Sequence, residues 1–566
     1  MEHLKTLRDI LEYLKQNHAP YPAVGFVGEA PITYGQFYDK VQELHELIKT
    51  LGIEPGERIA ILSESKPQWS QAYFAITAFG RVAVPILPDF HQNEVQHILK
   101  HAKCQAIFVS SNQLAKIEDA KIDSLKHIIL IDDFKLLKEE DKDPLKEIID
   151  RGSKEINKLK QAASKLTQKS KEETPQPNDL AAFIYTSGTT GHSKGVMLSH
   201  YNIVSNAVTI LKIVPATPKD RLLSVLPLAH AYECTVGMVA PFIGGASIHY
   251  FNQPPTPRLL LKAFQLVKPT IMLIVPLIIE KVYKTRIVPQ LNKNWLLRSV
   301  QKVPALRKAI IKKAGKKLHE SFGGQLHCMP IGGALLAPDV EKFMYEADFP
   351  YAVGYGLTET APIVAAMVAP NRKLRSTGRA IPGVEIKIHN PDPQTGEGEI
   401  WVRGPNVMLG YYKDPEKTAE VLTEDGWFRT GDLGMLDEEG FLFIKGRLKN
   451  MILGPSGENI YPEQIESILN EFECVSESLV YEDNGKIVAR VFLNYEEIDR
   501  KFGINHLSET QVREKIKELL ENLRQQANEQ LSHYSRISKI IEQTEPFIKT
   551  PTQKTKRYLY VEETNS

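Results

Sequence analysis

Short apolar runs alternate with amphipathic helical stretches along the first half of the chain. The runs at 58–62, 81–85, 106–109 and 127–131 are strand-like, and the stretch at 67–79 between two of them has helical spacing. This alternation is typical of parallel strands covered by helices on both faces. The pattern therefore predicts an α/β fold built on mostly parallel sheets.

Further elements are predicted towards both ends of the chain. Residues 1–20 form an amphipathic helix, and a hairpin over 23–34 leads into a helix over 35–51. Near the C-terminus the Asn484-Gly485 pair marks the turn of a second hairpin. A charged helix is predicted after it, near 509–531.

Length and composition narrow the class of protein. A chain of 566 residues is too long for one ordinary core, so two or more domains are expected. Apolar residues make up 42% and charged residues 25%, and the net charge of +1 gives no reason to expect nucleic-acid binding. The 4 cysteines are far apart and form no CxxC pair, which favours a reducing, cytoplasmic setting without disulfides or zinc.

Three stretches raise the question of membranes or partners. The weakly charged stretch 222–251 is interrupted by Pro227 and Pro241, so we interpret it as buried core and not as a membrane span. The charged stretch 132–178 mixes both signs and is interpreted as a solvated excursion. The basic stretch 286–319 leaves two interpretations open: peripheral contact with the inner face of a membrane, or a helix packed on the core with a solvated basic face.

The stretch from Tyr185 to His200 contains the most informative chemistry. Between two apolar runs it places three glycines, several hydroxyl side chains and Lys194, with no acidic residue. Backbone N–H groups at glycines, hydroxyl donors and one lysine charge are suited to binding a polyphosphate. It is not a Walker loop, because Ser193 precedes the lysine, Gly195 follows it, and the loop is predicted to join two strands.

Three further motifs contain polar residues with a possible role in chemistry. Leu226-Pro-Leu-Ala-His230-Ala-Tyr232-Glu233 follows a predicted strand; its histidine and glutamate are one helical turn apart, but no third metal ligand is evident, so we reject a metal site. The segments Tyr351-Ala-Val-Gly-Tyr-Gly-Leu-Thr-Glu359 and Trp427-Phe-Arg-Thr-Gly-Asp432 end in carboxylates. A carboxylate can ligate Mg²⁺ or accept hydrogen bonds from ribose hydroxyls, and a tyrosine face can stack on a purine.

The order Thr-Ser-Gly-Thr-Thr-Gly, the Tyr-Gly-Leu-Thr-Glu motif and the Thr-Gly-Asp motif together resemble the adenylate-forming superfamily. The resemblance extends over about residues 20–560 and is strongest to its acyl-CoA synthetase branch, in particular to long-chain fatty acid–CoA ligases. One departure is Ser193, where the family commonly has proline. The position affects loop stiffness more than chemistry.

The resemblance implies a role for particular residues. The implied ATP-binding residues are Thr186, Ser187, Gly188, Thr189, Thr190, Lys194, Gly333, Ala334, Tyr355, Gly356, Thr358, Asp432 and Arg447. The implied acyl pocket includes His230, Tyr232 and Gly332. Catalysis is expected from Lys554, Thr186 and Glu359, with Glu359 as the Mg²⁺ ligand, and Lys449 is the implied hinge.

The resemblance also implies an architecture and a reaction. We expect residues 1–448 to form a large domain with two helix-covered, mostly parallel sheets and a smaller β-subdomain, and residues 449–566 to form a small mobile α/β lid. We expect ATP, Mg²⁺ and coenzyme A to be used in converting a fatty acid to its adenylate and then to its thioester. The alternatives are transfer to a carrier-protein phosphopantetheine, a medium-chain or other carboxylate–CoA ligase, and a catalytically silent nucleotide-binding or membrane-surface protein. A homodimer is possible.

Replacement of Lys554 by alanine tests the implied catalytic lysine. We expect Lys554→Ala to lower adenylate formation, followed as pyrophosphate exchange into ATP, by at least about a hundredfold, because the lysine would neutralise charge between carboxylate and α-phosphate. Thioester formation from supplied acyl-adenylate should fall far less. Lys549→Ala and Lys556→Ala, rivals on spacing alone, are the matched controls, and equal losses in both half-reactions would contradict the role.

Overall fold

The computed structural model describes residues 1–118, 121–137, 174–186, 193–291, 303–454, 458–504, 507–550 and 555–561. Most of the charged excursion and the middle of the basic stretch therefore lie outside the described residues.

The described helices and strands agree in order with the sequence pattern. The helices are α1 (Leu7–His18), α2 (Tyr34–Thr50), α3 (Pro67–Thr77), α4 (Gln92–Ala102), α5 (His200–Ile213), α6 (Ala240–Gly244), α7 (Pro257–Val267), α8 (Pro276–Val282), α9 (Val288–Leu291), α10 (Pro304–Ser321), α11 (Pro338–Glu346), α12 (Pro415–Val421), α13 (Pro462–Leu469), α14 (Tyr495–Phe502), α15 (Glu509–Gln530) and α16 (Tyr558–Val561). Segments of π-helix precede α6 (Tyr232–Val239) and α9 (Tyr283–Ile287), and single 3₁₀ turns lie at Ser111–Lys116, Thr358–Thr360, Leu448–Asn450 and His533–Ser535.

The strands are β1 (Pro22–Phe26), β2 (Ile32–Thr33), β3 (Arg58–Leu62), β4 (Val82–Ile86), β5 (Ala106–Val109), β6 (His127–Leu130), β7 (Leu136–Leu137), β8 (Leu180–Thr186), β9 (Lys194–Ser199), β10 (Arg221–Leu223), β11 (Ser247–Tyr250), β12 (Met329–Ile331), β13 (Tyr351–Gly356), β14 (Ile363–Met367), β15 (Arg379–Ala380), β16 (Glu385–His389), β17 (Gly398–Arg403), β18 (Gly410–Tyr411), β19 (Phe428–Leu436), β20 (Leu442–Arg447), β21 (Ile452–Leu453), β22 (Asn459–Ile460), β23 (Val475–Asp483), β24 (Lys486–Leu493) and β25 (Lys539–Gln543).

The largest sheet has eight strands in the order β18-β9-β8-β4-β3-β5-β6-β7. Its central pairs, from β8 through β4, β3 and β5 to β6, are parallel, and the pairs at both edges are antiparallel. Strands β3, β4 and β5 are almost wholly buried, as expected for parallel strands with both faces covered. The predicted mostly parallel sheet is confirmed.

A second layered region combines two four-stranded sheets, β10-β11-β1-β2 and β12-β13-β14-β15. Isolated bridges join them: Ile271 pairs with Leu222 and with Cys328, and Ile274 pairs with Ile331. The apolar block at 271–279 thus begins between the two sheets, where it is buried, and continues into helix α8.

Two smaller units complete the chain. Strands β16-β17-β19-β20 form an antiparallel sheet. Strands β23-β24-β25 form a mixed sheet, in which β24 is antiparallel to β23 and parallel to β25, and helices α13 and α15 cover it. The C-terminal unit has its own apolar cluster, which includes Ile465, Leu469, Val480 and Val491. The fold is therefore mixed α/β, with a large N-terminal domain of several sheets and a small C-terminal domain. The boundary at 448/449 stays a prediction.

Local sequence signals account for several helix starts. The Thr6 hydroxyl accepts the backbone N–H of Asp9 at 3.1 Å, and the Asp9 carboxylate accepts the backbone N–H of Thr6 at 2.9 Å. The same reciprocal cap begins α2 at Thr33 and α5 at Ser199. Each such cap satisfies backbone donors that the first helical turn leaves unpaired.

Helix α10 forms the described C-terminal part of the basic stretch and begins at Pro304. Its core contacts come from Ile311, Ala314 and Leu318, whereas Leu306 is 48% exposed. The helix is turned so that its first apolar positions face outwards. Within the described residues, no helix combines the length and apolar character needed to cross a bilayer.

Candidate active site

Strands β8 and β9 flank the glycine- and hydroxyl-rich loop. Thr186, the last residue of β8, lies opposite Lys194, the first residue of β9, in an antiparallel pair. The predicted strand–loop–strand arrangement is confirmed. Four predicted phosphate-binding residues of the loop lie outside the described residues: Ser187, Gly188, Thr189 and Thr190.

Lys194 lies half-buried beside a tyrosine ring. Its Nζ is 5.2 Å from the centroid of the Tyr411 ring, within the range of a cation–π contact. Burial lowers the pKa of Lys194 below its ordinary value, and the neighbouring Lys417 acts in the same direction, whereas Glu359 opposes both. A partly desolvated ammonium interacts more strongly with an incoming phosphate than one in open water.

Glu359 lies in the 3₁₀ turn that follows β13. The Tyr411 hydroxyl donates to Glu359 Oε1 at 2.9 Å, and the backbone N–H of Met408 donates to the Glu359 carbonyl at 2.9 Å. The hydroxyl of the next residue, Thr360, donates to the Pro362 carbonyl at 2.6 Å. Both the backbone and the carboxylate of Glu359 are thus held by neighbours.

Tyr355, Asp432 and Arg447 meet in a hydrogen-bonded group. The Tyr355 hydroxyl donates to Asp432 Oδ2 at 2.6 Å, and Arg447 Nε lies 2.8 Å from Asp432 Oδ1. Asp432 and Arg447 face each other in the β19–β20 pairing, which explains their contact. Burial, and then the Asp432 charge, raise the pKa of Tyr355 well above its usual value, so its hydroxyl remains a donor.

The three predicted acyl-pocket residues are also brought together. Gly332 packs so closely on Tyr232 that a Cβ at this position would lie 3.2 Å from the tyrosine Cζ. The backbone N–H of Tyr232 donates to His230 Nδ1 at 3.2 Å. Absence of a side chain at Gly332 therefore leaves room for the Tyr232 ring.

Tyr232 borders a narrow cavity of about 50 Å³ between α5 and strands β12 to β14. The cavity is lined by Ile210, Leu211, Ile213, Val214, Ala216, Tyr232, Val236, Ala240, Pro241, Ile271, Leu273, Pro330, Ala352, Val353, Gly354, Ile363, Ala366 and Val368. Apart from the tyrosine hydroxyl, these side chains are apolar. The lining includes Gly354, which precedes Tyr355 in strand β13, and the half-buried Val214 and Val368.

Glu233 is buried in the π-helical segment that contributes Tyr232 and Val236 to the cavity wall. Its Oε1 accepts a 2.5 Å hydrogen bond from the Ser224 hydroxyl, and its carboxyl group packs against Gly237. Burial raises the pKa of Glu233 to about 8, although the Ser224 hydrogen bond opposes the shift. At neutral pH the carboxyl group is therefore mostly protonated.

The geometry fits a magnesium–nucleotide complex. Glu359 offers a hard oxygen ligand near Lys194, because both side chains contact Tyr411. A single carboxylate suits a Mg²⁺ ion that takes its other ligands from phosphates and water. In the part of the chain that the structure describes, no group of three or more His, Cys, Asp or Glu side chains is arranged as a metal site.

The remaining predicted residues are placed as follows. Gly333 and Ala334 follow Gly332 after strand β12, Gly356 ends β13 next to Tyr355, and Thr358 opens the turn of Glu359. Lys449 lies in the 3₁₀ turn Leu448–Asn450, after β20. Lys554 lies outside the described residues, whereas its rival Lys549 pairs with Glu477 at 2.7 Å.

Sequence reasoning missed the contribution of Tyr411. The Tyr411 side chain contacts both Lys194 and Glu359, although no sequence motif assigned it to the site. Only the pairing of β18 with β9 places it there, and a two-residue strand has no usable sequence signal.

Comparison with known proteins agrees with this geometry. The profile described as AMP-binding enzyme matches residues 12–412. Human long-chain-fatty-acid–CoA ligase 1 is 32% identical over 482 residues, covering 78% of this chain and 67% of that protein. The chloroplastic long-chain-fatty-acid–[acyl-carrier-protein] ligase AEE15 of Arabidopsis thaliana is 30% identical, covering 83% of this chain and 73% of that protein. The crystal structure of anthranilate CoA ligase AuaEII with anthranoyl-AMP superposes with a TM-score of 0.77 at 21% identity, covering 99% of this chain and 97% of that chain.

The chain belongs to the AMP-binding enzyme family, whose members form acyl adenylates. Within that family it is an acid–thiol ligase of the acyl-CoA synthetase branch, a class that uses ATP, Mg²⁺ and coenzyme A.

The raised pKa of Glu233 predicts a pH-dependent stability. A carboxyl group that titrates near 4.5 when unfolded and near 8 when folded makes the folded state progressively less stable as pH rises between those values, because only the unfolded chain releases the proton. Glu233→Gln keeps an acceptor for Ser224 and stays neutral. We therefore expect the melting temperature of Glu233→Gln, relative to the original protein, to rise from pH 5 to pH 9.

Thermal unfolding at pH 5, 7 and 9 measures this difference. The exposed Glu438→Gln serves as the matched control and should show a difference that does not change with pH. A flat or falling profile for Glu233→Gln would refute the assignment.

Proposed function

We propose that the enzyme is a long-chain fatty acid–CoA ligase. The observation that supports this best is the apolar cavity, whose lining includes Gly354, the neighbour of Tyr355 in strand β13, and the half-buried Val214 and Val368. We assign the inner end of the cavity to Gly354 and its outer end to Val214 and Val368. An acyl chain in this cavity would have its carboxylate next to the nucleotide and its tail among apolar side chains, where burial of each CH₂ contributes roughly 0.8 kcal/mol.

A long chain needs more room than the present cavity provides. A volume of about 50 Å³ holds only a small part of such a chain. The half-buried residues at its outer end, Val214 and Val368 among them, would have to move apart. Binding of the acyl chain would therefore be coupled to a local rearrangement around the end of α5.

In the first half-reaction a carboxylate oxygen attacks the α-phosphorus of ATP, and the bond to pyrophosphate breaks. The carboxylate is already ionised at neutral pH, so no general base is needed. We assign the phosphates to the loop between Thr186 and Lys194, with Ser187, Thr189 and Thr190 as hydroxyl donors. Mg²⁺ bound at Glu359 would neutralise phosphate charge.

The nucleoside and the reacting groups are assigned to other residues. We assign adenine to the Tyr355 face and the ribose hydroxyls to Asp432 with Arg447. His230, Tyr232 and Gly332 would border the acyl carbonyl. Lys554 would approach the α-phosphate and carboxylate from the C-terminal domain and offset the charge that develops there.

In the second half-reaction the coenzyme A thiolate attacks the carbonyl carbon of the adenylate, and the bond to AMP breaks. We propose that residues 449–566 turn as a unit about Lys449, which withdraws Lys554 and opens the way for the thiol. Alternating use of two domain orientations is a known way to separate two reactions at one site.

A second candidate acceptor is a carrier-protein phosphopantetheine. The similarity to an acyl-carrier-protein ligase, at 30% identity, favours considering it. Both acceptors present the same thiol, so only the acceptor's remaining contacts distinguish them.

The substrate assignment predicts thiol-dependent release of AMP with palmitate or oleate. The assay compares these acids with acetate and benzoate, and compares coenzyme A with holo-carrier protein at equal thiol concentration. Activity confined to acetate or aromatic acids would exclude the fatty acid assignment. A higher thioester yield with the carrier protein would favour the second acceptor.

The outer end of the cavity can be tested with Val214→Trp. We expect kcat/KM for palmitate to fall at least about tenfold, because the indole would fill the distal end, while kcat/KM for octanoate stays within about twofold. Lys212→Trp, on the exposed surface of the same helix, is the matched control. Equal losses for both acids would indicate that the acyl chain does not reach Val214.

We also propose that helix α10 contacts anionic membranes. Val303, the N-cap residue of the helix, is 47% exposed, and Leu306 in the first turn is 48% exposed. Counted from Leu306, the same face continues with Ile310, Lys313 and Lys317, one, two and three turns further along. An apolar end followed by exposed lysines is suited to a negatively charged lipid surface.

Vesicle co-sedimentation tests this surface. Binding to vesicles containing phosphatidylglycerol should exceed binding to phosphatidylcholine vesicles and should weaken with salt. The double variant Lys313→Gln, Lys317→Gln should lower binding about tenfold or more, since each lysine contributes about 1 kcal/mol. Leu306→Ser should also weaken binding, whereas Leu266→Ser, at an exposed site on α7, should not. No difference between the two lipids would contradict the proposal.

A further inference from the structure

Tyr411 is fixed in place by its backbone. It lies in strand β18 opposite Val196 of β9, and its backbone N–H donates to the Thr418 hydroxyl at 2.9 Å. The preceding Gly410 has φ of 138°, and a Cβ there would lie 2.8 Å from the Thr418 methyl group. The Tyr411 side chain is only 7% exposed. Its position is therefore determined by the fold and not by solvent.

Different parts of the Tyr411 side chain contact two different site residues. The hydroxyl donates to Glu359 Oε1 at 2.9 Å, and the ring centroid lies 5.2 Å from Lys194 Nζ. A tyrosine hydroxyl is protonated at neutral pH, so it donates this hydrogen bond to the carboxylate.

We propose that Tyr411 is a positioning residue of the adenylation site, which aligns the metal-binding carboxylate of Glu359 through its hydroxyl and the phosphate-binding ammonium of Lys194 through its ring. This inference rests on the proposed function, in which Glu359 binds Mg²⁺ and Lys194 contacts the phosphates. It assigns a task to a residue outside the loop and outside the Tyr355-to-Glu359 motif.

The two contacts can be removed one at a time. Tyr411→Phe removes the hydroxyl but keeps the ring under Lys194, whereas Tyr411→Leu removes both. Tyr412→Phe is the matched control, because the Tyr412 ring packs on Phe183 at 4.5 Å between centroids and on His101 at 5.4 Å.

Calorimetric binding of α,β-methylene-ATP, with Mg²⁺ or with EDTA, separates the two roles without turnover. For Tyr411→Phe we expect affinity with Mg²⁺ to fall about tenfold, the size of a lost hydrogen bond to a charged group, and affinity in EDTA to stay within about twofold. For Tyr411→Leu we expect a further loss of about threefold in both conditions, the size of a cation–π contact. Tyr412→Phe should bind like the original protein.

The outcomes distinguish this inference from the proposed function. If Mg²⁺ does not tighten nucleotide binding by the original protein, the assignment of Mg²⁺ to Glu359 fails. If Mg²⁺ does tighten it but Tyr411→Phe behaves like the original protein, the inference about Tyr411 is wrong. If Tyr411→Phe loses the same affinity for the nucleotide with and without Mg²⁺, the hydroxyl has only a structural role, and the inference is wrong. If Tyr411→Leu fails to fold, the near-isosteric Tyr411→Phe still tests whether the hydroxyl positions Glu359.

Discussion

Strand β9 pairs with β8 on one side and with β18 on the other, and the geometry of the phosphate end of the site depends on this double pairing. The first pairing places Lys194 opposite Thr186. The second brings Tyr411 beside Lys194 and, through the Tyr411 hydroxyl, fixes the carboxylate of Glu359. Backbone register is set by many hydrogen bonds at once, so it holds these side chains more firmly than side-chain contacts alone would.

The arrangement also has an electrostatic reason. Joining a carboxylate to a phosphate brings two anions together, so the site needs positive charge that its own acids do not cancel. Lys194 lies near Glu359, but each charged group is in contact with Tyr411. The Tyr411 ring lies against the Lys194 ammonium, and the Tyr411 hydroxyl donates to a carboxylate oxygen of Glu359. Both charged groups thereby have partners that are electrically neutral. Each can still respond to a phosphate or a metal.

The sequence was sufficient to predict local structure, and it was insufficient to predict contacts between distant segments. Apolar runs and capping residues predicted the parallel strands and helices, because those signals act over a few positions. Motif resemblance indicated Tyr355, Asp432 and Arg447, which the structure brings into one hydrogen-bonded group. The outward turn of α10 could not be predicted, because it depends on which neighbour the helix packs against. The same is true of Tyr411, whose role arises from a two-residue strand pairing.

Within the proposed nucleotide site, the group around Asp432 is ordered by contacts between protein side chains. Tyr355 and Arg447 each contact one oxygen of the Asp432 carboxylate. Because the carboxylate is already oriented, the entropy of ordering it is lost on folding and not on binding. The proposed acyl side differs, since a cavity of about 50 Å³ would have to widen to admit a long chain. We infer that the nucleotide binds to a largely preformed surface, and that differences among acyl substrates depend on how readily the end of α5 can rearrange.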